Sequence, residues 1–158
     1  MMDNIQYVRA DEKEIPSLIR LRIAFLSEIM GVPAEEDIDS LKQCLENYFT
    51  IALKDNTCIC WLALVNEVPV SIGTMVVKVQ LGTFKNPSGR MGYIQNMYTA
   101  PDHRKKGMGS MILNKLIETG TEWGLTAFEL HATDDGAPLY RNKGFELHDQ
   151  PTYRRYNH

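Results

Sequence analysis

The sequence predicts an α/β (α+β) fold of element order β-αα-βββ-α-β-α-β, and three observations carry that prediction. Short alternating or apolar runs of strand character lie between stretches with apolar residues at helical spacing. A turn signal, Asn66-Glu67-Val68-Pro69, joins two of the strand runs into a hairpin. A basic, glycine-rich turn, His103–Gly109, joins another strand to a helix. The 158 residues are 44% hydrophobic and 23% charged, the balance of an ordinary globular protein. No repeat, low-complexity tract or interdomain linker interrupts them, so residues 1–158 are expected to form a single domain.

Taken in order, Asn4–Arg9 reads as a first strand. Asp11 is a candidate N-cap, with Glu14 three residues on as its capping-box partner. The helix that follows, about 12–30, sets Ile15, Leu18, Ile19, Ile23, Leu26 and Ile29 at helical spacing. Pro16 is tolerated in its first turns, and Gly31-Val32-Pro33 breaks it. A second helix, about 34–54, begins with Glu35, Glu36, Asp37 and Asp39, which suit the positive end of a helix dipole. Leu41, Cys44, Leu45, Tyr48 and Phe49 make its apolar side.

A strand then runs to about Val65 and turns back into another, about 70–81, and Trp61, Leu62, Ala63 and Leu64 imply burial on both faces. Residues 82–89 carry Gly, Asn, Pro and Ser and read as a loop. The strand Tyr93–Thr99 precedes the basic turn, and the helix after it, about 109–123, places Ile112, Leu113, Leu116 and Ile117 on one side. A strand over about 126–132 and a short helix over about 137–143, closed by Gly144, come next. Tyr153, Arg154, Arg155 and Tyr156 read as a last strand closing the sheet.

The basic turn has the chemistry of an anion site. The first N–H groups of a helix have no intrahelical partner, and the dipole adds positive potential there. Gly107 and Gly109 remove the Cβ atoms that would hold a phosphate off, while Arg104, Lys105 and Lys106 add charge at the rim. A Walker loop needs Lys-Ser/Thr after its last glycine, where Ser110-Met111 stands; a dinucleotide fingerprint needs a third glycine, where Ile112 stands. What remains is Arg104-x-x-Gly107-x-Gly109 after a strand ending in Thr-x-Pro. Thirty residues on, Leu130-His131-Ala132-Thr133 ends a strand, and Gly136–Phe145 follows with Tyr140 placed before Gly144-Phe145.

Bulk properties narrow the partners. A formal charge of −3 argues against nucleic acid, which requires a basic surface. Cys44, Cys58 and Cys60 are odd in number and lack framework spacing, which points to free thiols in a reducing compartment. Cys58 and Cys60 face the same side of one strand without the further ligands a metal would need, so no metal is expected. The N-terminus lacks an apolar signal core and no run reaches membrane-spanning length, so a cytoplasmic protein without a membrane partner is expected.

The two motifs, in that order and separation, resemble the acetyl-CoA loop and the tyrosine-bearing helix of the GCN5-related N-acetyltransferases, the GNAT superfamily, and the element order resembles that family over almost the whole chain. The resemblance implies a central mixed, mostly antiparallel sheet splayed at the cofactor cleft. It implies acetyl transfer from acetyl-CoA (coenzyme A) to an amine in a ternary complex.

On that resemblance the backbones of Met97, Tyr98 and Thr99 hold the pantetheine arm, and residues Arg104, Lys105, Lys106, Gly107, Met108, Gly109 and Ser110 hold the pyrophosphate, with Thr133 and Tyr140 also on the cofactor side. The Met97 N–H would face the oxyanion and Tyr140 would protonate the leaving thiolate; packing on the core is the other role open to Tyr140. The first two helices line the acceptor side in the family, which makes Arg22, Glu28, Asn96 and His131 candidate substrate contacts. Acidic residues around those helices suggest a small, cationic amine, and a homodimer is compatible with the family. Some relatives carry a Glu on the strand before the loop, where this chain has Tyr93, Gln95 and Asn96; His131, Asp134, Glu28 or water remain open as the base. A GNAT-fold module that binds acyl-CoA without turnover is the alternative from another class.

Overall fold

The computed structural model describes residues 3–148 and 150–157. Five strands, β1 (Ile5–Arg9), β2 (Cys58–Val65), β3 (Val68–Val79), β4 (Arg90–Thr99) and β5 (Phe128–Leu130), form one sheet in the order β1-β2-β3-β4-β5. The first three junctions are antiparallel and β4–β5 is parallel. Helices α1 (Ile15–Met30) and α2 (Glu35–Ala52) precede β2, α3 (Met108–Glu122) follows β4, and α4 (Ala137–Asn142) follows β5. The mixed, mostly antiparallel sheet expected from the sequence is therefore present. Among the described residues no helix is long and apolar enough to cross a membrane.

Local signals account for the element ends. The Asp11 side chain accepts from the Lys13 N–H at 2.9 Å and the Glu14 side chain accepts from the Asp11 N–H at 2.8 Å, a closed capping box. It caps a short 3-10 turn, Glu12–Glu14, that leads into α1, with Pro16 in the first turn where its missing N–H costs no hydrogen bond. The β2–β3 hairpin turns on Asn66 and Glu67, both at positive φ, the backbone a tight two-residue turn requires.

The sheet is covered on both faces. Alternation along β2 sends Cys58, Cys60 and Leu62 into one core with Leu18, Leu21, Phe49 and Ile72, beneath α1 and α2. Ile59 and Ala63 point the other way, into a core with Met75, Ile94, Ile112, Leu113 and Leu116, beneath α3. Each of these fully buried aliphatic side chains contributes roughly 1.5–3 kcal/mol through removal from water. Cys58 and Cys60 are buried free thiols.

Two expectations are corrected. The chain over 145–148 and 150–157 forms no strand, so the last β of the expected order is missing. Pro151 removes a ladder donor there, and Tyr153 and Tyr156 are 92% and 71% exposed, so this stretch has no apolar face to bury against the sheet. In α2, Cys44 and Tyr48 are exposed while Phe49 and Ala52 are buried, so the helix seats on the sheet chiefly by its C-terminal end.

Candidate active site

The site is built around a fault in β4. Its pairing with β3 runs Ser71↔Thr99 and Ile72↔Tyr98, then resumes at Thr74↔Gln95. Two residues of β4, Asn96 and Met97, thus lie opposite the single residue Gly73, which defines a β-bulge. Asn96 takes a left-handed backbone, φ +59, a conformation that asparagine tolerates better than most side chains. Its amide is buried and satisfied: Nδ2 donates to Thr74 Oγ1 at 3.3 Å, and Oδ1 accepts from Arg22 at 3.4 Å. Thr74 Oγ1 also lies 3.3 Å from Cys60 Sγ, so a polar chain from α1 to β2 pins the bulge.

Below the bulge β4 loses its second neighbour. β5 pairs with Gly92, Tyr93 and Ile94, and among the described residues Gln95, Tyr98 and Thr99 pair only with β3. The Ala100 N–H donates to the Val70 carbonyl of β3 at 2.8 Å, so strand alternation turns the amide of Thr99 toward the open edge. An unpaired edge enclosed by protein is a template for an extended ligand to add as a strand. The splay expected at the cofactor cleft is this edge.

The edge leads into an anion-binding helix start. Pro101–His103 makes a 3-10 turn, Lys105 and Gly107 take positive φ, and α3 begins at Met108 with no side-chain cap. Gly107, at φ +82, supplies the left-handed residue at the N-cap without steric cost. The first intrahelical bond runs from the Met111 N–H to the Gly107 carbonyl, which leaves the N–H groups of Met108, Gly109 and Ser110 without helical acceptors. Buried Met108 and Ile112 anchor this start to the core.

The three cations of the turn have different surroundings. Arg104 Nε donates to the Thr99 carbonyl at 2.8 Å, its Nη2 donates to both Glu28 oxygens at 2.6 and 2.8 Å, and its guanidinium lies 5.7 Å from the Tyr98 ring centre. Tyr98 in turn stacks on Phe25 of α1. Arg104 therefore ties the end of α1 to the end of β4. Lys106 lies 3.6 Å from Asp3, and Lys105 is exposed.

The hydrogen bond from Arg104 holds the Glu28 carboxyl below its ordinary 4.5. A carboxylate with a depressed folded pKa stabilises the fold above its unfolded pKa and loses that contribution as pH falls through the folded value. Wild type is therefore expected to melt slightly above Glu28→Gln at neutral pH, with the gap closing as pH drops below about 4.5 and shrinking in salt because the pair is exposed. Melting curves of both proteins from pH 7 to 3 check this; a gap independent of pH would remove the ion pair as its cause.

Tyr140 stands on α4, the short helix beyond β5. Thr133 seats its helix: the Gly136 N–H donates to Thr133 Oγ1 at 3.2 Å, and the Ala137 N–H donates to the Thr133 carbonyl at 3.0 Å. Leu139 Cδ2 would stand 3.8 Å from a Cβ on Gly109, so α4 packs on the start of α3. The half-buried Tyr140 ring meets Phe145 edge-on at 6.2 Å. Both join Met97 in packing against the core beneath α3. Burial pushes the Tyr140 phenol up, so it keeps its proton at neutral pH.

Of the residues assigned to the acceptor side, Arg22 and Asn96 touch, Glu28 is engaged by Arg104, and exposed His131 meets Tyr93 edge-on at 5.8 Å. Asp134 is exposed on the turn beyond β5, and the acidic start of α2 is exposed. The sequence reading did not assign Lys78 or Arg154 to this cleft. Lys78 Nζ lies 4.8 Å from the Tyr93 ring centre, and the Arg154 charge acts on the Tyr93 phenol. Lys78 approaches Tyr93 through the β3–β4 register, which the sequence does not carry, and Arg154 lies in the irregular tail, where no periodicity points.

A bulged strand that parts from its neighbour beside an uncapped, glycine-started helix defines the cleft of an acyltransferase fold. The chain belongs to the Acetyltransferase (GNAT) family, which matches residues 23–145. A crystal structure of a predicted acetyltransferase from Clostridium acetobutylicum with acetyl-CoA is 29% identical, covers 96% of each chain and superposes with a TM-score of 0.86. A GCN5-related N-acetyltransferase from Ralstonia eutropha JMP134 has the same fold at 21% identity and a TM-score of 0.83, covering 96% of this chain and 99% of its own. The uncharacterized N-acetyltransferase YjcF of Bacillus subtilis (strain 168) is 23% identical over 140 residues, 89% of this chain and 84% of that protein.

Proposed function

We propose that this chain, acting as one domain over 1–158, is an N-acetyltransferase that moves an acetyl group from acetyl-CoA to a primary amine by direct attack in a ternary complex. The observation that carries the reading is the juxtaposition of an unpaired β4 edge with the free N–H groups at the start of α3. The edge suits the amide-bearing pantetheine arm at Met97, Tyr98 and Thr99. The N–H groups of Met108, Gly109 and Ser110 suit the pyrophosphate, with Lys105 and Lys106 adding charge. Arg104 serves from its backbone, its side chain being spent on Glu28 and Thr99.

The Met97 N–H faces the acetyl carbonyl and stabilises the charge that develops there. Tyr140, protonated at neutral pH, gives its proton to the departing sulfur. The attacking amine must arrive neutral, although an alkylammonium titrates near ~10.4. Glu28 is poorly placed to take that proton while Arg104 holds it. The buried free thiols Cys58 and Cys60 support a reducing, cytoplasmic setting.

The test is thiol release from acetyl-CoA against a panel of primary amines, with coenzyme A binding measured in parallel by calorimetry. Turnover with at least one amine is expected. Saturable binding with no turnover across the panel would overturn the enzyme in favour of a non-catalytic acyl-CoA sensor.

A further inference from the structure

Among the described residues, the acceptor side of the cleft has more cations than carboxylates. Arg22 projects from α1 into the polar chain at the bulge, half-buried, and among those residues its side chain donates to Asn96 Oδ1 alone, at 3.4 Å. Among the described residues it forms no ion pair. The neighbouring carboxylates are taken: Glu28 by Arg104 at 2.6 Å and Glu129 by Lys78 at 3.9 Å. Among the described residues, the charges of Arg22, Arg154 and Lys78 around Tyr93 face the carboxylate of Glu129.

Half-buried and holding one long hydrogen bond, the Arg22 guanidinium keeps its remaining donors within reach of solvent, where a planar oxyanion satisfies them best. Burial lowers the Arg22 pKa, but a guanidinium is not deprotonated in proteins, so the cation persists. Its position is specific. Asn96 neighbours Met97, so an anion held by Arg22 lies one residue from the proposed site of acetyl transfer.

We propose that the acceptor amine carries an anionic oxygen group, carboxylate or phosphate, which Arg22 receives beside the β4 bulge. This rests on the acetyltransferase reading and names the substrate class within it. It replaces the cationic acceptor suggested by the acidic start of α2, whose residues are exposed. Tyr93 and His131 wall the same space, and an amine tethered two to four bonds from its anion is brought to the acetyl group by the contact that selects it.

The experiment compares kcat/KM for two matched pairs, alanine with alaninamide and phosphoethanolamine with ethanolamine, in wild type, Arg22→Gln and Arg22→Lys. At least one anionic member is expected to exceed its neutral partner by tenfold or more, and the responding pair identifies the group. Arg22→Gln is expected to cut that preference ratio at least tenfold, and Arg22→Lys less. Neutral members used as well as anionic ones, or a preference ratio unchanged in folded Arg22→Gln, would overturn the proposal. An Arg22 that merely braces Asn96 would lower both members of a pair equally and leave the ratio where it was.

Calorimetry with the acetylated products of both pairs on coenzyme A-saturated protein reads the same contact without turnover. Tighter binding of an anionic product, lost in Arg22→Gln, would sustain the inference even if no amine were acetylated, in which case only the acetyltransferase reading falls. Equal binding of anionic and neutral products would overturn it.

Discussion

Tyr140→Phe is expected to lower kcat at least tenfold, about 1.4 kcal/mol of barrier, while the KM for acetyl-CoA changes little. The substitution removes one hydroxyl and keeps the ring that packs edge-on against Phe145, so α4 retains its seat on the start of α3. What is lost is a proton donor whose pKa burial has pushed up, and which therefore carries its proton across the neutral range. Without it the thiolate must leave unprotonated or take a proton from water. An effect confined to kcat is the mark of an interaction made in the transition state. Steady-state thiol release with a turned-over amine decides the matter, and a kcat equal to wild type would return Tyr140 to a purely packing role.

Gly73→Ala is expected to cost about 1–3 kcal/mol of stability, as overpacking does, and to reduce activity as well. A Cβ at Gly73 would stand 2.5 Å from Ile112 Cγ2, 2.6 Å from Met97 Sδ and 3.0 Å from Leu116 Cδ1. Two of those atoms belong to a helix packed on the sheet and the third to the bulge, so relief requires Ile112 and Met97 both to shift. Where α3 or the bulge backbone follows, an amide of the proposed site is displaced. Denaturant unfolding and thiol release on the same preparation check both halves; an unchanged midpoint would show that these side chains give way without moving the backbone.

The elements were legible where one segment carries its own signal. Asp11 with Glu14 announced a capping box, Asn66-Glu67-Val68-Pro69 a hairpin turn, tightened in the structure to Asn66-Glu67, and the glycine-rich turn a helix start at about Gly109, one residue after the observed Met108. The site was legible only in part, because its defining features join residues far apart in the chain. The bulge exists where Asn96 and Met97 oppose Gly73, and a sequence read forward offers no pairing register. Arg104 could be placed at the loop from its spacing, but its side chain is held by Glu28, 76 residues earlier. The tail misled for the opposite reason. Tyr153 and Tyr156 have strand-forming side chains, yet strand propensity reports fit to a half-buried surface, and those rings are exposed.

The parallel junction of the sheet has a kinetic consequence. β5 meets β4 through three residue pairs, and from it hang the turn and the six-residue helix bearing Tyr140. A segment so lightly stitched opens locally at a cost well below that of global unfolding. The proposed acid therefore rides on the part of the molecule expected to breathe first, with amides that exchange ahead of those in β2 and β3. An excursion of that segment widens the gap beside β4 and withdraws the phenol in one movement. Spent thiol and acetylated product could depart by that route while the rest of the sheet stays closed.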